Sequence, residues 1–399
     1  MTTRALLFGT LLSLSAAFIA SPSAVSARGC FPLASMDPGP SPTPFPSPTA
    51  AASATPNITY AEVVSGFSFT TNGRNATGAL DTASGMDAGS RTDFSNILAS
   101  VTRNTGRFRF GATVGEYAFP VVGLSINPTF KTGANTDLFG FVPVAYVAYA
   151  PSEELTISVG KQATLLGQES NFTFQNVDIQ RGLAFAVEPN FSRGLRAAYA
   201  NGKLSGDLEV NDGYYSGSHR AVEGLAGFAP TGNTSVQFAF IVPGKDTPAD
   251  PTTGIANKAE YDLMLTQQLG KLQLTPYLLF IDSPQSNAAG FVNGETAFAG
   301  AVLGSYAFSR TLSLGARYED IGNHSAPHDP SLNADFVGYG AGSGASTLTL
   351  TPAYKRNQLL LRAEYSVVGV RNPAPGAAFG ATGTATSQTR LGIEIGAQF

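Results

Sequence analysis

The sequence predicts an all-β chain closed into a transmembrane antiparallel barrel of about sixteen strands (14–18), with one connection folded inward as a constriction. Three observations carry that expectation. Charged residues are only 13% of the 399, where about 25% is usual, while apolar residues stand at 43%. Gly (44) with Ser, Thr, Ala and Asn fills the gap, a balance that suits strands with a lipid face and a weakly charged lumen face. Finally, after Tyr60 the chain runs in alternating segments of about ten residues between turn-rich stretches, and no later stretch is apolar enough for a spanning helix.

Residues 1–27 read as a secretory signal peptide. Arg4 supplies a positive end, Ala5 to Ala20 is apolar apart from Gly9, Thr10, Ser13 and Ser15, and Val25-Ser26-Ala27 offers a small-residue cleavage site. A membrane anchor is the competing reading, but the run falls short of the ~20 apolar residues a spanning helix needs. Cys30, the single cysteine, excludes an internal disulfide framework. Arg28 stands where lipid attachment at Cys30 would require a small residue, so an incidental thiol is expected. Residues 28–57 form a Pro-rich segment, with Pro32, Pro38, Pro40, Pro42, Pro44, Pro46, Pro48 and Pro56 among Ser, Thr and Ala. Alternating Pro removes backbone donors and cannot bury a core, so a disordered or semi-rigid linker is expected. Residues 58–399 then form the barrel domain.

The candidate strands are Glu62–Thr71, Ser95–Arg103, Arg107–Glu116, Phe139–Ala150, Leu155–Ala163, Arg193–Asn201, Lys203–Asn211 and Val222–Phe228. They continue with Ser235–Val242, Ala259–Leu269, Leu272–Asp282, Thr296–Phe308, Leu312–Ile321, Ser346–Lys355, Gln358–Val368 and Thr389–Phe399. This spacing allows about 21 residues per strand and connection, and about 9–11 suffice for a tilted span. Asn201-Gly202 suits a type I′ hairpin turn on the periplasmic side. Gly244–Lys258, Gly322–Gly344 and Arg371–Gln388 suit external loops. An even strand number puts both termini on one side. A β-sandwich or propeller would also alternate, but neither explains the low charge or the ending of the chain.

That ending is distinctive. Leu391, Ile393, Ile395, Ala397 and Phe399 share one parity, while Arg390, Glu394 and Gln398 take the other. An amphipathic strand closing on an aromatic resembles the final strand of bacterial outer-membrane barrels. The resemblance implies that Phe399 serves as a signal to the barrel-assembly machinery.

Alternation is lost between Leu165 and Ser192, where Glu169, Asp178, Arg181 and Glu188 accumulate. A long connection inside a compact architecture is usually functional, and a wide barrel stays open unless something folds into it. The four residues are therefore the candidate constriction. Gly160-Lys161, Leu166-Gly167, Glu169, Arg181-Gly182, Pro189, Gly194-Leu195-Arg196, Tyr199, Gly202 and Asn211-Asp212-Gly213 resemble the OmpL-like β-barrel porin family over about 55 residues. The resemblance implies a pore passing small solutes and ions through the outer membrane. A homotrimer is common among porins of this size, and no residue pattern decides it. The chain departs from the family in having no Trp; Tyr214 and Tyr215 follow the Asn-Asp-Gly turn, and 27 Phe with 14 Tyr can populate interfacial girdles.

Inward parity assigns Arg107, Arg109, Arg196, Asp207, Glu209, Arg317, Glu319, Arg362, Glu364, Arg390 and Glu394 to the lumen, where rings of mixed charge bias ion passage. Taken singly, each fits a salt bridge between neighbouring strands equally well. Net charge is −4 with no basic run, so no nucleic-acid partner is expected. His219, His324 and His328 all fall in expected loops, which gives no catalytic dyad, no metal site and no cofactor site. Gly338 to Gly344 opens no helix and reads as loop, not as a phosphate cradle. Residues 28–57 are too few and too Pro-rich for the plug of an energised transporter. The rival to a diffusion channel is a closed barrel that acts as surface anchor, adhesin or binding protein.

Overall fold

The computed structural model describes residues 58–73, 89–217, 220–244, 258–283, 294–324 and 335–399. The signal segment, the Pro-rich linker, Cys30 and parts of several long connections lie outside them. Sixteen strands run in chain order: β1 Ile58–Thr71, β2 Ser90–Arg103, β3 Phe108–Tyr117, β4 Val144–Tyr149, β5 Leu155–Ala163, β6 Phe191–Asn201, β7 Leu204–Asn211 and β8 Ala221–Thr231. They continue with β9 Thr234–Val242, β10 Ala259–Leu269, β11 Leu272–Ser283, β12 Glu295–Ala307, β13 Leu312–Asn323, β14 Gly344–Arg356, β15 Leu359–Arg371 and β16 Ser387–Gln398. No described helix is long and apolar enough to cross a membrane.

Each strand pairs with its sequence neighbours, and β16 pairs with β1 to close the barrel. That seam runs from Val63 opposite Gln398 to Thr71 opposite Arg390. Phe399 extends it: its N–H donates to the Glu62 carbonyl (2.8 Å), and the Glu62 N–H donates back to the Phe399 carbonyl (3.0 Å). Closure leaves no sheet edge, the condition for strands to stand in lipid.

Period-two patterning sorts the side chains as expected. On β16, Leu391, Ile393 and Ile395 are more than half exposed on the outer face, whereas Arg390 and Glu394 are buried inside. On β15, Leu361 faces out and Arg362 in. Aromatic residues form rows on the outer face: Phe240, Tyr261, Phe280 and Phe298 sit opposite one another across β9 to β12.

The start of β1, the end of β16 and every short turn lie at one rim, and the long connections leave from the other. The β6–β7 turn differs in detail from expectation. Gly202 takes a positive φ of +60° and neither Asn201 nor Lys203 does, so a Gly-first II′ turn replaces the type I′ turn. The fourth strand is also shorter than the expected Phe139–Ala150. Asn135–Phe139 is a helix (α1), stopped by Gly140 at φ +76°, and Pro143 withholds a donor just before β4 begins.

The interior holds a large buried apolar cluster in which Met264, Leu279, Ile281, Ala297, Ala299 and Ile321 from the wall meet Leu165, Leu166, Leu183, Phe185 and Val187 from the β5–β6 connection. A smaller cluster joins Phe67 and Phe69 of β1 to Ala118, Ile126 and Ile179.

Candidate functional site

The β5–β6 connection, residues 164–190, enters the barrel and crosses it. It leaves β5 beside β8, where the Glu223 carboxylate accepts from the Thr164 hydroxyl and the Leu165 N–H. It reaches β13 to β16 on the far wall at Asp178 to Ala184, then returns past β12 to β10 before β6 begins. Two glycines permit the close approach. A Cβ at Gly182 would lie 2.5 Å from a Glu319 oxygen, and one at Gly315 would run into the Val177 side chain.

The far wall grips the loop through its backbone. Arg317 donates to the Glu169 carboxylate (2.6 Å) and the Gln180 carbonyl (2.7 Å), with Asp178 at 3.7 Å. The Glu319 carboxylate accepts the N–H groups of Leu183 and Ala184, both at 2.6 Å. Glu364 accepts the Gln180 side-chain amide (2.7 Å) and the N–H groups of Ile179 and Gln180. Arg362 pairs with Glu394 and donates to the carbonyls of Asn176 (2.7 Å) and Thr173 (2.9 Å). Arg317 and Arg362 thus meet carboxylates, while Glu319 and Glu364 are met by backbone and side-chain donors, as burial demands.

Of the four candidate constriction residues, Glu169, Asp178, Arg181 and Glu188, all lie on this loop and all are buried to 1% or less exposure. Arg181 serves the loop itself. It donates to the Thr173 hydroxyl and the Asn171 carbonyl, each at 2.7 Å, and its guanidinium lies over the Phe185 ring. Glu188 stands beside Glu260 and Asp262 of β10.

The candidate lumen residues Arg196, Asp207, Glu209, Arg317, Glu319, Arg362, Glu364, Arg390 and Glu394 are all buried on the inner face. Arg196–Glu209 (2.5 Å) and Arg362–Glu394 bridge adjacent strands, and Arg390 instead donates to the Val121 and Leu124 carbonyls. Arg109 is half-buried and donates to the Thr156 hydroxyl (3.2 Å). Arg107 does not belong on the lumen wall. It stands exposed in the β2–β3 turn, one residue before β3, where strand parity no longer governs direction. His324 is exposed at the end of β13, and His219 and His328 lie outside the described residues.

Sequence reasoning missed a second inward segment. Residues 118–129 after β3 pack inside, with Val121, Val122 and Ile126 buried. The Arg181 N–H donates to the Pro120 carbonyl (2.8 Å), and the Val122 N–H to the Arg181 carbonyl (2.9 Å). The available signal was five apolar residues, Phe119, Val121, Val122, Leu124 and Ile126, in what would otherwise be an exposed connection. Glu223, Glu260 and Asp262 were also missed, although the parity of their strands points them inward.

Comparison with known proteins bears on this architecture. The family model described as beta-barrel porin-2, OmpL-like, matches residues 58–399. The chain belongs to the OmpL-like β-barrel porin family. Solved structures similar to this porin-family chain include the outer membrane channel DcaP of Acinetobacter baumannii, with 12% identity and a TM-score of 0.57, covering 86% of this chain and 97% of that one. An anion-selective porin from Comamonas acidovorans has 13% identity and a TM-score of 0.55, covering 86% and 100%. OmpT of Vibrio cholerae, in its trimer form, has 12% identity and a TM-score of 0.54, covering 87% and 100%. At such identities the likeness is one of fold. A comparison with curated proteins finds no match. Family and fold together make this an outer-membrane barrel of the porin type.

Proposed function

We propose that the barrel is a passive diffusion channel for small hydrophilic solutes and ions, constricted by its β5–β6 loop. The observation that carries the proposal is that loop's course, across the lumen and fixed at both walls. Toward the short-turn rim the lumen face is polar and only half-buried, with Gln268, Gln273, Ser305 and Ser313. Such a surface holds water, so solute has a hydrated approach up to the loop. Glu169, Asp178, Arg181 and Glu188 form the constriction, and the charges around them set ion preference.

Burial of those four residues favours a second reading, a closed barrel that serves as surface anchor, adhesin or binding protein. Single-channel recording of the purified protein in a planar bilayer separates the two. Stepwise conductance is expected, and its absence across voltages would favour the closed barrel. The proposal assigns no catalysis and no cofactor.

For assembly, the proposed partners are outer-membrane lipid around the outer face and the barrel-assembly machinery at β16. The Phe399 ring is exposed on the outer face at the seam. Phe399→Ser is expected to lower outer-membrane levels and heat-modifiable migration; normal values for both would remove that role. A homotrimer is proposed on the likeness to the neighbour solved as a trimer, and cross-linking in membranes tests it.

A further inference from the structure

Three carboxylates meet where the returning loop touches β10. One oxygen each of Glu188, Glu260 and Asp262 lies within 4.8 Å of the other two. All three side chains are fully buried. Asp262 uses one oxygen to accept the Gly167 N–H (2.6 Å), and Glu260 uses one for the Tyr214 hydroxyl (3.1 Å). Their other oxygens, and both of Glu188, have no hydrogen-bond partner among the described residues.

The neighbouring cation does not balance the group. Lys258 lies 3.8 Å from Glu260, and its ammonium is directed to the Val187 carbonyl and the faces of Tyr214 and Phe336. Three carboxylates against one ammonium leave two negative charges, the charge of one divalent cation. A separate group points the same way. Tyr277 of β11 is buried with a hydroxyl that has no partner among the described residues. It sits opposite Met264 and so shares the inner face with Asp262, two residues along β10. Unpartnered buried oxygens of this kind call for an explanation, and a bound ion supplies one.

We propose that Glu188, Glu260 and Asp262 bind one Ca²⁺, which staples the end of the inner loop to β10. Oxygen donors without His or Cys select a hard cation. Ligands drawn from a loop and a strand suit the adaptable shell of Ca²⁺, with six to eight oxygens at about 2.3–2.6 Å, better than the strict octahedron of Mg²⁺. The site stands whether or not the barrel conducts.

The test uses the folded, full-length protein in detergent, stripped with a chelator and titrated with CaCl₂. Calorimetry is expected to show saturable uptake of one ion per chain, with a higher melting temperature. The chain has no Trp, so Tb³⁺ luminescence sensitised by Tyr277 and Tyr214 reports the site directly, and Ca²⁺ should displace it. Glu188→Gln removes a like charge from the cluster, so the ion-free barrel should melt no lower than wild type while Ca²⁺ affinity falls by roughly tenfold or more. Should that variant fail to fold, Tyr277→Phe should still weaken the Tb³⁺ signal. No Ca²⁺ response in the wild type, or an unchanged response in Glu188→Gln, overturns the site. An equal response to Mg²⁺ at the same concentration overturns the assignment to Ca²⁺.

Discussion

Along β10 to β12 the inner wall offers the crossing loop Met264, Leu279, Ile281, Ala297 and Ala299, whereas along β13 to β16 it offers Arg317, Glu319, Glu364, Arg362 and Arg390. The apolar stretch holds Leu183, Phe185 and Val187 by contact area, worth about 25 cal/mol per Å² removed from water and indifferent to exact alignment. The charged stretch addresses individual backbone atoms: the Leu183 and Ala184 N–H groups go to one carboxylate, and the Asn176 and Thr173 carbonyls to one guanidinium. Buried ion pairs add little net stability, because desolvation offsets their attraction, but removing one partner is costly. The contrast therefore separates two jobs. Contact area on one wall supplies tightness, and charge on the other supplies position.

The largest expected effect comes from removing what both walls hold. Deletion of residues 167–185 should raise single-channel conductance several-fold and admit larger sugars in liposome swelling. The wall charges it exposes would gain water in place of loop backbone, so the barrel itself should still form. An unchanged size cutoff would mean that the loop does not limit the lumen.

Next come single changes on each wall. Arg317→Met leaves Glu169 and Asp178 buried without their cation, at a cost of about 3–5 kcal/mol. The expected outcome is local release: protease sites appear between residues 164 and 190, and conductance fluctuates while the barrel stays folded. Leu183→Ala on the apolar side should cost about 3 kcal/mol as a cavity in the cluster. It should lower the urea midpoint in liposomes and leave the loop in register, with channel noise near wild type. If Leu183→Ala makes the channel as noisy as Arg317→Met does, the division between tightness and position fails.

The strands were legible because an apolar outer face and polar groups inside impose a period of two over nearly every segment, and β15 and β16 follow it residue by residue. The loop was legible as the place where that period stops. Parity tells which face a side chain takes but not what it meets there. It put Arg317, Glu319 and Glu364 inside, yet could not show that they would hold loop backbone. Parity also fails in turns, which is why Arg107 was misplaced, and near Pro143, where the start of β4 was set too early. Glu188 with Glu260 and Asp262 was beyond reach. The first lies on the loop and the others on β10, and only the folded course of the loop brings them together.

The smallest effects give the sharpest test, because two nearly isosteric changes can be matched across the walls. Thr351 of β14 has its hydroxyl 2.6 Å from Asp178 and 3.1 Å from Glu364. Thr351→Val keeps the shape but strips a donor from buried carboxylates, worth about 1.5–3 kcal/mol for a hydrogen bond to a charged group. Ile281→Val on the apolar wall removes one methylene from a fully buried side chain, worth about 0.5–1.5 kcal/mol. Unfolding midpoints should thus shift modestly in both and slightly more in Thr351→Val. Open-channel noise should separate them, rising in Thr351→Val because the Asp178 turn loses a fixed partner, and staying level in Ile281→Val because neighbouring Leu279 and Ala299 still cover the loop. Equal noise in the two variants would show that the loop is located by packing alone, with the charged wall merely tolerated.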